Sequence, residues 1–182
     1  MGLNLPSFVK RSSSALLGID LSASSVKVVE LVPGQKASMR LQRYAIEPIE
    51  RGAVTDGNIE RPEQVAEALG RAMRRMSTRT RDVAMAMPSS AVITKRIALP
   101  AGLPEEDYEL QVESEASQYI PFAIEEVNLD FQILGPSAAD PDEVEVLLAA
   151  SRKEKVEDRV AVAEMTIGPN PDSKKSVDWV AD

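Results

Sequence analysis

Tyr119-Ile120-Pro121-Phe122-Ala123-Ile124-Glu125-Glu126-Val127-Asn128-Leu129-Asp130-Phe131 joins a helix end, an aromatic-proline turn and an alternating strand in one short run. Working back from it, the spacing predicts a helix over Pro104 to Gln118. Pro104 is placed for its first position, and Glu105, Glu106 and Asp107 lie against the positive helix end. Tyr108, Val112, Ala116 and Tyr119 trace one stripe at helical spacing. Ala91 to Leu99 reads as a strand before this helix; Val127 to Leu134 and Glu143 to Ala150 read as strands after it, joined through Ala138-Ala139-Asp140-Pro141-Asp142. The block is a small three-stranded sheet covered by one helix, and Pro88 marks where it begins.

Before Pro88 the order of elements is different. Ala15 to Leu21, Ser25 to Val32 and Met39 to Ile46 are short runs of strand formers, with Pro33-Gly34 as a turn. Met39 and Leu41 share one phase, Tyr44 and Ile46 the other. That odd spacing implies a bulge near Gln42-Arg43 or a strand buried on both faces. Pro62 opens a helix whose Val65, Leu69, Ala72, Met73 and Met76 fall on one face, and Arg71, Arg74 and Arg75 suit its negative C-terminal end. Asp82 to Met87 then reads as a buried strand parallel to the first. Three antiparallel strands, a helix and a parallel strand form half of a ribonuclease H-like layer.

Lys153 to Met165 is expected to form a last helix, with Val156, Val160 and Ala163 in phase, before Gly168-Pro169-Asn170-Pro171 breaks regular structure. The expected organisation is a tail at 1–14, a first half at 15–88, an inserted block at 89–150, a return helix at 151–165 and an irregular tail at 166–182. Residues 1–14 carry Lys10, Arg11 and a thin scatter of apolar residues, which reads as a solvated tail.

Composition narrows the chemistry. With neither cysteine nor histidine in 182 residues, there is no thiol nucleophile, disulfide, Cys/His zinc site or imidazole base. A net charge of −8 argues against nucleic acid and for a cationic partner. No apolar run approaches the roughly 20 residues of a membrane span, and the start lacks a secretory apolar centre, so a cytoplasmic location is expected.

The Tyr119-to-Phe131 run, taken with Gly18-Ile19-Asp20-Leu21-Ser22, resembles the PilM family of type IV pilus assembly proteins, which is similar to the cell-division protein FtsA. The resemblance extends from about Ala15 to Met165, and Thr166 to Asp182 do not share it. It implies an α/β, actin-like first-lobe fragment with an inserted FtsA-type subdomain, an incomplete fold. It also implies a non-enzymatic adaptor at the cytoplasmic side of the inner membrane, attached through its partner, that serves type IV pilus assembly and twitching motility. The adaptor would link the pilus alignment complex to the assembly motor. Two other readings stay open: a piece of an actin-like phosphotransferase of the sugar-kinase type, and a filament-forming protein of the FtsA or MreB kind.

For the site, the resemblance implies ATP and Mg²⁺ in the full-length family member, with Asp20 holding the metal through water. Ser22 and Ser24 would touch phosphate and Lys27 would supply a cation. Here Ser22 stands where the family has Gly and Ala23 where it has Ser or Thr, which removes backbone freedom and a hydroxyl; this chain alone is expected to bind no nucleotide. Ser24-Ser25-Val26-Lys27 matches a Ser-x-x-Lys hydrolase pattern, but that pair must lie one turn apart on a helix, and Val26, Val28 and Val29 argue for a strand.

The family's groove between the first lobe and the inserted subdomain takes the cytoplasmic N-terminus of PilN, an inner-membrane protein. Tyr119, Ile120 and Phe122 are the expected lining, because an aromatic-proline turn offers rigid apolar surface. Glu105, Glu106, Asp107, Glu109, Glu113 and Glu115 read first as a solvated helix face and second as acidic surroundings for a cationic peptide.

Overall fold

Strand β1 (Leu16–Leu21) lies between β2 (Ser25–Pro33), antiparallel to it, and β6 (Val83–Met85), parallel to it; β3 (Met39–Pro48) extends the sheet beyond β2, giving the order β3-β2-β1-β6. The structure is a computed structural model describing residues 15–35 and 38–168; the tail expected at 1–14 and the stretch from 169 onward lie outside the described residues. Between β3 and β6 come a two-stranded hairpin, β4 (Val54–Thr55) with β5 (Asn58–Ile59), and helix α1 (Pro62–Met76). The chain separates into two compact units. The first holds the described residues up to Ala86 and again from Asp158, and the second, 87–157, interrupts it.

Alternation decides which face of the first sheet is buried. Leu17 and Ile19 on β1, Val26 and Val28 on β2 and Ala45 on β3 point to one side, where α1 lays Val65, Ala68, Leu69, Ala72 and Met76 against them. The expected stripe of α1 is therefore the packed one, with Met73 at its margin. Pro62 starts the helix, and Ser77 ends it in the left-handed conformation at φ 50°. Two of the arginines near its end have definite partners: Arg71 donates to Pro48 O at 3.0 Å and pairs with Glu67, and Arg75 reaches Glu47 at 3.4 Å. They tie α1 to β3 as well as complementing the helix dipole.

The odd spacing in β3 is a bulge. Glu30 pairs with Arg43 and Leu31 with Leu41, so Gln42 is the extra residue. It brings Leu41, Tyr44 and Ile46 into one phase, opposite Leu31, Val29 and Lys27, on the exposed side of the sheet. Strand β6 is shorter than expected and only half-buried, rather than buried.

In the second unit, after a 3-10 turn at Ser89–Ala91, β7 (Ile93–Pro100), β8 (Val127–Pro136) and β9 (Glu143–Arg152) form an antiparallel sheet of order β7-β9-β8. Helix α2 (Glu105–Ala116) covers one face through Tyr108, Val112 and Ala116, packed with Ile97, Leu99, Val146 and Leu148. Pro104 stands one residue before the helix rather than within it. Tyr108 is buried with its hydroxyl satisfied, donating to Pro100 O at 2.9 Å.

Helix α3 (Lys153–Ile167) runs two residues past Met165, and Thr166 belongs to it: its hydroxyl donates to Val162 O and Ala66 O. Its inward stripe differs from the expected Val156, Val160 and Ala163. Val156, Arg159, Val162 and Ile167 are buried, while Val160 is exposed. The cause is Arg159, only 4% exposed, whose guanidinium donates to Gly57 O at 2.8 Å and Ala86 O at 3.3 Å. Burial lowers its pKa, and neighbouring Asp158 opposes that shift. Paired with carbonyls, a cation can occupy a core position that an apolar pattern assigns elsewhere.

Candidate functional site

The β1–β2 hairpin brings the four expected phosphate-loop residues together but commits most of them to one another. Asp20 and Lys27 face each other across the ladder, and Lys27 Nζ donates to Asp20 Oδ2 at 2.8 Å. Ser22 closes the turn: its N–H and its hydroxyl both donate to Ser25 O at 3.0 Å, and its Oγ lies 3.1 Å from Ser25 Oγ. Ser24 has an exposed side chain, and its carbonyl accepts from Ile49 N at 3.0 Å. A Cβ at Gly18 would stand 3.0 Å from Val29 Cγ2 on the paired strand, closer than ordinary van der Waals contact.

This donor set is a poor match to a magnesium-bound phosphate chain. Asp20 is paired with Lys27, and the Ser22 hydroxyl is engaged in its own turn. Lys27 is engaged with Asp20 in an exposed ion pair.

The turn after α2 divides the three expected partner-binding residues. Tyr119 and Phe122 are 41% and 39% exposed, whereas Ile120 is 6% exposed and packs in the core with Ala116 and Val127. Ile120 is thus the anchor of the turn, and the two rings are its exposed surface. The physical reason is local: backbone N–H groups of Tyr119 and Ile120 both donate to Ala116 O, which winds the chain so that position 120 points inward. Tyr119 accordingly leaves the buried stripe of α2 to which spacing assigns it. Glu105, Glu106, Asp107, Glu109 and Glu113 are exposed and Glu115 is half-buried; none makes a salt bridge among the described residues.

A third constellation escaped sequence reasoning. Glu30 on β2 is 3% exposed, at a surface depression also lined by Arg43, Ser77, Thr80 and Arg81. Its carboxylate accepts from Thr80 Oγ1 at 2.5 Å, Thr78 Oγ1 at 2.7 Å and Arg43 Nη1 at 2.5 Å. Burial by itself would raise its pKa, but the hydrogen bonds from Thr80, Thr78 and Arg43 outweigh it and hold the group below the ordinary glutamate value. The readable signal was its place in the buried phase of Val26-x-Val28-x-Glu30. Its two threonine partners lie 48 and 50 residues away.

One chain of a solved PilM-PilN type IV pilus biogenesis complex is similar to this one, with 31% sequence identity and a TM-score of 0.74. The match covers 86% of this chain and 46% of that one, so this chain spans less than half the length of its structural relative. The chain is accordingly a fragment of an actin-like fold. Residues 18–169 match the family described as type IV pilus assembly protein PilM, and the chain belongs to that family.

Proposed function

We propose that this chain is a non-enzymatic adaptor that captures the cytoplasmic N-terminal segment of a PilN-type inner-membrane protein, with Tyr119 and Phe122 as contact residues. It would sit in the cytoplasm, peripheral to the inner membrane through that partner, and connect the pilus alignment complex to other pilus and motor proteins. The observation that carries the reading is the likeness to a PilM-PilN complex. Two exposed rings held on a core-anchored turn supply a rigid apolar contact, and the acidic face of α2, which makes no salt bridge among the described residues, favours a segment carrying arginine. Among the described residues no helix is long and apolar enough to cross a membrane, so the reading assigns membrane attachment to the partner.

Nucleotide has no role in capture by this chain under the same reading, because Asp20, Ser22 and Lys27 are engaged with the hairpin itself. MgATP binding belongs to longer family members. The test is titration of the chain with a labelled PilN N-terminal peptide, with and without MgATP. The expected result is saturable binding that ignores nucleotide and is lost in Tyr119→Ala and Phe122→Ala while the fold survives. Unchanged affinity in both variants removes these residues from the site, and no binding by the unaltered chain refutes the adaptor reading.

A further inference from the structure

Each exposed ring of the turn carries a cation over it. Lys95 Nζ lies 4.7 Å from the centroid of the Tyr119 ring, and the Arg152 guanidinium carbon 5.1 Å from that of Phe122. The cations come from the sheet, Lys95 from β7 and Arg152 from the end of β9, whereas the rings come from the turn after α2. Lys95 pairs in register with Leu148, a core residue, so its stem rises from the helix-covered face of the sheet. The buried Ile120 lies between the two rings in sequence, giving the turn three attachments to the second unit.

We infer that Lys95 and Arg152 are positioning residues that hold Tyr119 and Phe122 in the orientation that receives the partner segment. This rests on the docking reading above. An exposed ring on a turn samples several rotamers, and fixing it only on binding subtracts from affinity. A cation over one face fixes the ring beforehand and leaves the rest of its surface open. Lys95 makes no salt bridge among the described residues, so its position over the ring is not set by a carboxylate. Arg152 also lies 3.6 Å from Glu154, a contact between exposed groups that is weak in water.

The experiment measures the affinity of a labelled PilN N-terminal peptide for the full chain and its variants. Lys95→Met and Arg152→Met keep much of the apolar stem and remove the charge. Each is expected to weaken binding about two- to fivefold while lowering the thermal midpoint by no more than a few degrees. Lys95→Arg and Arg152→Lys should restore affinity, and Glu154→Gln should leave it as it was. A second readout needs no peptide: the ε-methylene protons of Lys95 should show an upfield ring-current shift that disappears in Tyr119→Leu. Unchanged or tighter binding in both methionine variants, or no ring-current shift, overturns the inference while leaving the docking reading intact. Failure of the unaltered chain to bind the peptide overturns both.

Discussion

Replacing Glu30 with glutamine should be among the most damaging near-isosteric changes in the first unit, and its effect should fade in acid. The carboxylate accepts from Thr80, Thr78 and Arg43, while an amide keeps one oxygen and turns an NH₂ group toward donors. Thr80 and Thr78 both donate to Oε1 and Arg43 to Oε2, so the amide keeps its oxygen on the threonines, whose bonds each weaken by about 1 kcal/mol on passing from a charged to a neutral acceptor, and turns its NH₂ against the Arg43 guanidinium. Arg43 is 43% exposed at its side chain, and its share is discounted to below about 1 kcal/mol. At pH 7 the variant should lose about 2–3 kcal/mol in urea denaturation, a midpoint shift of roughly 1–1.5 M for a slope near 2 kcal/mol/M.

The pH dependence supplies the sharper check. The folded-state pKa of Glu30 is depressed, so its stabilisation is fully present above the unfolded-state value of about 4.3 and is lost as the pH falls through the lower folded value. The gap between the unaltered chain and Glu30→Gln should therefore be constant from pH 7 to about 5 and narrow steadily below about 4. Equal stability at pH 7, or a gap that stays the same down to pH 3, would refute the assignment of these bonds.

Three further expectations concern separate parts of the molecule. Ile120→Ala should lower stability by about 2–5 kcal/mol, whereas Tyr119→Ala and Phe122→Ala should each stay within about 1 kcal/mol, measured by thermal melting; equal losses at all three would undo the division of the turn into anchor and surface. Arg159→Met removes the donors to Gly57 O and Ala86 O and should destabilise by about 2–4 kcal/mol, with loss of hydrogen-exchange protection around β4, β5 and β6; a change under about 0.5 kcal/mol would show that solvent replaces those bonds. Gly18→Ala forces its new methyl against Val29 and should cost about 1–3 kcal/mol, part of which Val29→Ala recovers in a double-mutant cycle; strict additivity would mean the two do not meet.

Where periodicity was uniform, the fold was legible. The helix at Pro62, the three strands before it and the parallel strand after it follow from apolar spacing, and the mismatch between Leu41 and Tyr44 located the bulge to within a residue. What stayed hidden was polar burial. Arg159 occupies a core position of α3 because two carbonyls from distant segments meet its guanidinium, so an apolar stripe drawn through Val160 pointed outward. Glu30 was disguised for the same reason, its partners lying beyond any local window. Ile120 was grouped with its aromatic neighbours on chemistry, but the backbone bonds at the end of α2 turn it inward between them.

The surplus residue at Gln42 makes β3 sensitive to the number of its residues more than to their identity. Deleting that one codon would leave the composition almost intact yet invert one arm of the strand, sending either Leu41 or the Arg43-to-Ile46 segment to the wrong side of the sheet. Point changes at Gln42 should pass nearly unnoticed. Across relatives, an insertion or deletion at this place would need a compensating length change in the facing stretch of β2, a signature that can be sought in their genes.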